Sequence, residues 1–125
     1  MDDGKLISLA REALANAYAP YSGYRVGAAI LTADGRVFRG VNVENASYGL
    51  TICAERAALS AAVAAGYRSF SVIAVAAEGD KEPLPCGACL QVLREFGLLR
   101  VVVAGKKEEI RSFNLDELLP YPFGK

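Results

Sequence analysis

Phe70-Ser71-Val72-Ile73-Ala74-Val75-Ala76-Ala77, Pro85-Cys86-Gly87-Ala88-Cys89 and Leu99-Arg100-Val101-Val102-Val103-Ala104 are the three pieces whose reading decides the fold. The first and the last are continuous apolar runs of strand length, rich in β-branched residues, as expected of strands covered on both faces. Between them a polar loop, Glu78 to Pro83, leads into a helix whose first turn Pro85 pre-sets. That helix carries Cys86, Cys89, Val92, Leu93 and Phe96, and Gly97 stops it. Strand, helix, strand is a crossover unit, and such units are right-handed in nearly all cases.

Working outward, residues 53 to 65 hold Ala at 54, 57, 58, 61, 62, 64 and 65, with Gly66 as the stop. This predicts a second helix with few groups to face water, buried against the sheet and suited to close helix packing across a subunit boundary. Further upstream, Tyr24 to Thr32 and Arg36 to Val43 are strand-like runs joined by Ala33-Asp34-Gly35, whose Asp-Gly pair signals a hairpin. Leu6, Ile7, Leu9, Ala10, Ala13, Leu14 and Ala17 fall at helical spacing over residues 4 to 18, with Asp2 and Asp3 at the front and Pro20 as the expected end. Downstream, Gly105-Lys106-Lys107 turns the chain toward a strand from Glu108 to Phe113. Asn114 then caps a short helix, Leu115 to Leu119, and Pro120-Tyr121-Pro122-Phe123 forms an apolar tail that a monomer would leave wet. The order α-β-β-α-β-α-β-β-α predicts a three-layer α-β-α fold with a five-stranded mixed sheet. No Pro/Gly/Ser-rich linker interrupts the 125 residues, so residues 1–125 are expected to be one catalytic domain.

Lys plus Arg and Asp plus Glu both number 14, so no basic excess draws the chain to phosphate backbones, and a nucleic acid polymer is not an expected partner. The absence of any apolar stretch of about 18 residues argues against a membrane span, and the N-terminus lacks a targeting pattern. Three cysteines cannot form a complete disulfide framework, which points to reduced thiols and a cytoplasmic setting. The chain has no His, which removes every hydrolase that uses imidazole as its base and leaves acid/base work to a carboxylate. With 53% hydrophobic residues in so short a chain, association with copies of itself is the natural outlet.

The chemistry gathers in Thr51-Ile52-Cys53-Ala54-Glu55-Arg56 and in Pro85-Cys86-Gly87-Ala88-Cys89, which together hold every cysteine. Cys86 and Cys89 stand at i and i+3, one face of a helix start, where free N–H groups and the dipole favour thiolates; Cys53 opens the preceding helix in the same way. Three thiolates suit a tetrahedral zinc with its fourth corner left to solvent, and Glu55, two residues beyond one ligand, is the candidate proton acceptor. Three thiolates and Zn2+ sum to minus one, so a positive group must temper the site; Arg56, one turn from Cys53, is the candidate. Two other readings use parts of the same pattern. A thioredoxin-like dithiol would need only Cys86 and Cys89. A zinc-stabilised binding module would need a fourth protein ligand, for which only a carboxylate such as Glu55 is at hand.

The chain also resembles the zinc-dependent cytidine deaminases of the small homotetrameric type. The likeness runs through Tyr18-Ala19-Pro20-Tyr21-Ser22, Val26-Gly27-Ala28-Ala29, Asn42-Val43-Glu44-Asn45-Ala46, Cys53-Ala54-Glu55-Arg56 and Pro85-Cys86-Gly87-Ala88-Cys89, followed by Gln91-Val92. The resemblance implies hydrolysis of cytidine and deoxycytidine to uridine and deoxyuridine with release of ammonia, one zinc per subunit and Glu55 as the proton carrier. It also implies that Asn42 and Glu44 hold the sugar, that Ala54 and Glu55 meet the base edge, and that Tyr24, commonly Phe in the family, stacks near the base. Phe123 matches an aromatic that enters a neighbouring subunit's pocket, which implies a homotetramer with shared active sites. Leu90 departs from the family, where Arg usually stands between the second cysteine of this pair and the glutamine. A related deaminase for a modified nucleoside remains the nearest alternative, though the pair Asn42 and Glu44 suits it poorly.

Overall fold

A computed structural model describes residues 1–107 and 109–124 of the chain. The elements in order are α1 (Asp3–Leu14), β1 (Val26–Thr32), β2 (Val37–Val41), α2 (Ala54–Ala64), β3 (Phe70–Ala77), α3 (Gly87–Arg94), β4 (Arg100–Ala104), β5 (Arg111–Asn114) and α4 (Leu115–Leu118), with a single 3-10 turn at Tyr48–Leu50 before α2. The strands form one sheet in the order β2-β1-β3-β4-β5. Only the β3–β4 pair, joined through α3, is parallel; the other three pairs are antiparallel. The expected element order and the mixed five-stranded sheet are therefore both present. Glu108, the expected start of the last strand, lies outside the described residues, as does Lys125.

Alternation along the strands builds both faces at once. Ala28, Ile30, Ile73, Val75, Val101 and Val103 point to the side covered by α2, α3 and α4. Ala29, Val72, Ala74, Ala76, Val102 and Ala104 point to the other side, where Leu6, Ile7 and Ala10 of α1 cover them. Ala and Gly dominate where helices press closest. A Cβ placed on Gly27 of β1 would strike the Ala10 carbonyl oxygen and stand 2.8 Å from the Leu14 nitrogen. A Cβ on Gly40 of β2 would stand 2.6 Å from the Ala54 carbonyl oxygen and strike the Ala58 nitrogen. Glycine at position 40 thus lets the first turn of α2, which follows Cys53, lie directly on the sheet edge.

Three local expectations need correction. The first helix ends at Leu14, short of Ala17 and well before Pro20. Tyr18 has by then left the helix to donate from its N–H to the Asn42 carbonyl at 3.0 Å, forming a bridge beside Val43. The tertiary pairing ends the helix earlier than the local breaker would. Cys53 and Cys86 are N-caps, one residue outside their helices, which places Pro85 before the cap and not within the first turn. Finally, α2 is buried on one face only: Ala54, Glu55, Ala58, Leu59 and Ala62 face inward, while Ser60, Ala61 and Ala64 stay exposed.

Candidate active site

The parallel pairing of β3 with β4 makes α3 begin at the same end of the sheet as the end of β3, and α2 begins there too, beside β2 and β1. In an open α/β sheet this strand end is where ligands collect. The sulfurs of Cys53, Cys86 and Cys89 all lie within 4.8 Å of one another. Four-coordinate zinc with Zn–S bonds of about 2.3 Å wants thiolates about 3.8 Å apart, so the spacing fits the ion. No fourth Cys, Asp or Glu joins the group among the described residues, which leaves one corner of a tetrahedron without a protein donor. Cys89 is buried, Cys53 half-buried and Cys86 exposed.

The three thiols share their protons unequally. Cys53 is drawn down to about 5, chiefly by the hydrogen bond it accepts from the Cys89 thiol, with Arg56 adding to it. Cys89 is pushed up because it donates that bond, and burial adds to the effect. These are two sides of one proton: once Cys53 is a thiolate, its charge opposes ionisation of the neighbour, and a cation must be present to strip the second. Arg56 Nη2 stands 3.6 Å from Cys53 Sγ, while its buried Nε has no hydrogen-bond partner. The guanidinium thus reaches the Cys53 sulfur.

Glu55 occupies the first turn of α2 and is only 5% exposed. Burial is the main cause that lifts its carboxyl to about 7, with the Cys53 thiolate adding to it and its own backbone N–H and Arg56 opposing. Glu55, Ala54, Cys53 and Cys86 line one cavity of about 520 Å³, shared with Tyr24, Asn42 and Thr51. A buried carboxyl near neutrality beside a three-thiol cluster is an arrangement for moving protons next to a metal.

The remaining expected site residues are placed as follows. Asn42 reaches the cavity but is held by backbone, accepting from Val26 N and donating to Tyr24 O at 2.9 Å each. Glu44 lines a second cavity of about 300 Å³ with Tyr21, Ser22, Tyr48 and Thr51. Its carboxylate accepts from the Tyr21 and Ser22 N–H groups at 3.0 Å each and from the Ser22 hydroxyl. The Ser22 hydroxyl is the first cause of its lowered pKa. Thr51 lines both cavities. Phe123 stands apart, with its ring 88% exposed and its backbone held to Gln91 by two 3.0 Å hydrogen bonds. Leu90 is buried in the core, where its N–H donates to the Cys86 carbonyl at 3.0 Å and its side chain brings no polar group to the cluster. Sequence reading missed Thr51 and residues 81–84 as lining groups. The polar loop after the central strand was the available signal, because loops at that end of a sheet face the ligand crevice.

Fold and site together define a class of protein: an α/β chain with three thiols gathered at two helix starts, a donor set suited to a metal ion. Residues 1–105 match the family described as the cytidine and deoxycytidylate deaminase zinc-binding region. The cytidine deaminase of Sporosarcina psychrophila is 44% identical over 100% of this chain and 93% of its own length. That of Halalkalibacterium halodurans is 46% identical over 98% of this chain and 95% of its own. The crystal structure of cytidine deaminase from Burkholderia pseudomallei superposes with a TM-score of 0.95 at 50% identity, covering 98% of this chain and 100% of that one. The chain belongs to the zinc-binding cytidine and deoxycytidylate deaminase family.

Proposed function

We propose that the protein hydrolyses cytidine and deoxycytidine to uridine and deoxyuridine, releasing ammonia. The observation that carries this reading is the convergence of three thiols within 4.8 Å, two of them lining a cavity that also holds a buried carboxyl. A cavity of about 520 Å³ is the size of a small-ligand pocket. A dithiol redox reading leaves Cys53 without a task, although its sulfur stands with the other two.

In this reading Cys53, Cys86 and Cys89 hold the ion and Arg56 tempers their charge. Zinc held by Cys53, Cys86 and Cys89 would supply Lewis acidity and lower the pKa of a water it binds. Glu55 takes up the proton that water gives, delivers it to ring N3 of the base, and carries a second proton to the amine leaving C4. Oxygen goes to C4 and ammonia departs, so the atoms balance. Burial supports Glu55 in this role, since a carboxyl near pKa 7 can both accept and return a proton at neutral pH. Ala54 and Tyr24 flank the base, and Asn42 and Glu44 meet the ribose hydroxyls. The exposed ring of Phe123 supports a homotetramer in which tails cross into neighbouring sites. The unbroken sheet supports one catalytic domain over residues 1–125, and the need for three reduced thiols supports a cytoplasmic setting.

The test is loss of cytidine absorbance with purified protein, before and after treatment with a zinc chelator. Turnover that stops on chelation and returns with zinc is expected. Turnover indifferent to chelation, or its absence in zinc-loaded protein, rejects the proposal.

A further inference from the structure

The segment from Tyr18 to Val26 is fastened to residues 42–44 by more than the backbone bridge between Tyr18 and Val43. Ser22 sits at the centre of that fastening. Its hydroxyl donates to Glu44 Oε2 and accepts from the Tyr24 N–H at 3.0 Å, while its own N–H donates to Glu44 Oε1 at 3.0 Å. On the other side, the Tyr24 carbonyl accepts from Asn42 Nδ2 at 2.9 Å. Tyr24 is thus gripped at both peptide groups, by Asn42 directly and by Glu44 through one serine hydroxyl.

A carboxylate offers about four acceptor sites. Tyr21 N, Ser22 N and Ser22 Oγ use three of them, which leaves Glu44 one acceptor for a substrate hydroxyl. We propose that Ser22 is a positioning residue for substrate: it turns the Glu44 carboxylate so that its remaining acceptor faces the sugar. The inference rests on the deaminase reading above and on Glu44 as a sugar contact. Without the hydroxyl, Glu44 keeps its two backbone donors but Oε2 loses the bond that fixes its rotation, and the Tyr24 N–H loses its acceptor.

The test compares kcat and KM of zinc-loaded protein on cytidine and on 2′,3′-dideoxycytidine, which lacks the 2′ and 3′ hydroxyls. Ser22→Ala should raise KM for cytidine about tenfold, the worth of one hydrogen bond, with kcat within about twofold. KM for the dideoxynucleoside should stay as it is, and Ser22→Thr, which keeps the hydroxyl, should restore the cytidine value. An unchanged cytidine KM in Ser22→Ala, or an equal rise for both nucleosides, overturns the proposal. So does a Ser22→Ala chain that no longer folds, because the hydroxyl is then a determinant of the fold. Glu44→Gln that still turns over cytidine with unaltered preference over the dideoxynucleoside removes the sugar contact, and this inference with it, while leaving deamination intact. Absence of cytidine turnover in the unaltered zinc-loaded protein removes the deaminase reading itself.

Discussion

Glu55 is a carboxyl that folding carries out of water, and the consequences can be read in two directions. For chemistry, Glu55→Gln should keep zinc stoichiometry and the fold yet lower turnover by about 10²–10⁴, measured as kcat with metal analysis alongside. For stability, the sign follows from its being raised from 4.5 to about 7. The folded chain binds the proton more tightly than the unfolded one, so the buried group favours the fold at low pH, and that advantage disappears as pH rises through about 7. In metal-free protein the ionised carboxyl should cost about 3 kcal/mol at pH 8. Metal-free Glu55→Gln should therefore melt above its parent at pH 8, with the gap shrinking to under about 1 kcal/mol at pH 5. Arg56 answers a different question. Arg56→Ala should hold zinc about tenfold more weakly in competition with a chelator, since its contact with Cys53 Sγ at 3.6 Å is a charge-assisted one. The cluster of three thiols beside a buried Glu55 could be picked out in the chain because two short segments, each at an expected helix start, contain every cysteine. Ser22 could not: its partner Glu44 is distant in sequence, and nothing local distinguishes a bridging serine from any turn serine.

At the scale of elements, the site depends on where two helices begin. α2 starts on the sheet edge because β2 offers no side chain at position 40. Gly40→Ala should push the first turn of α2 away from β2, costing about 1–3 kcal/mol in thermal or denaturant unfolding and weakening zinc binding through Cys53. Gly49→Ala, which meets nothing within 4 Å, should stay within about 0.5 kcal/mol. Continuous apolar runs located β3 and β4, which are buried on both faces, whereas the edge strand β5 is mostly exposed and spans Arg111–Asn114, later than the expected Glu108 to Phe113. The end of α1 was misread because a proline is a local signal, whereas the bond from Tyr18 N to the Asn42 carbonyl is not visible until the chain is folded. The same limit applies to the caps. Whether a cysteine is the last residue outside a helix or the first inside depends on one backbone dihedral, extended at both Cys53 and Cys86.

In the whole molecule, the core of the sheet is closed but several aromatic rings at the surface are not covered. Tyr48 is 74% exposed, Tyr121 93% and Phe123 88%, an aromatic content that a self-sufficient monomer has little reason to display. Phe123→Ala should leave the melting of an isolated subunit nearly unchanged while lowering assembly in sedimentation and raising KM for cytidine. An enzyme of unaltered size and affinity would remove the tail from the shared-site proposal. Composition foreshadowed this surface through its apolar excess, but the anchoring of the tail by Gln91 required the packed α3.

The three cysteines come from either side of β3: Cys53 precedes α2, and Cys86 and Cys89 follow the strand. An ion gripping all three therefore cinches a loop containing a helix and the middle strand, much as a disulfide would, and restricts the denatured chain as well as completing the site. Nascent protein cannot acquire that clasp until its third cysteine has emerged, so metal capture comes late in biosynthesis. Zinc starvation should then leave a looser, protease-sensitive chain along with an idle enzyme.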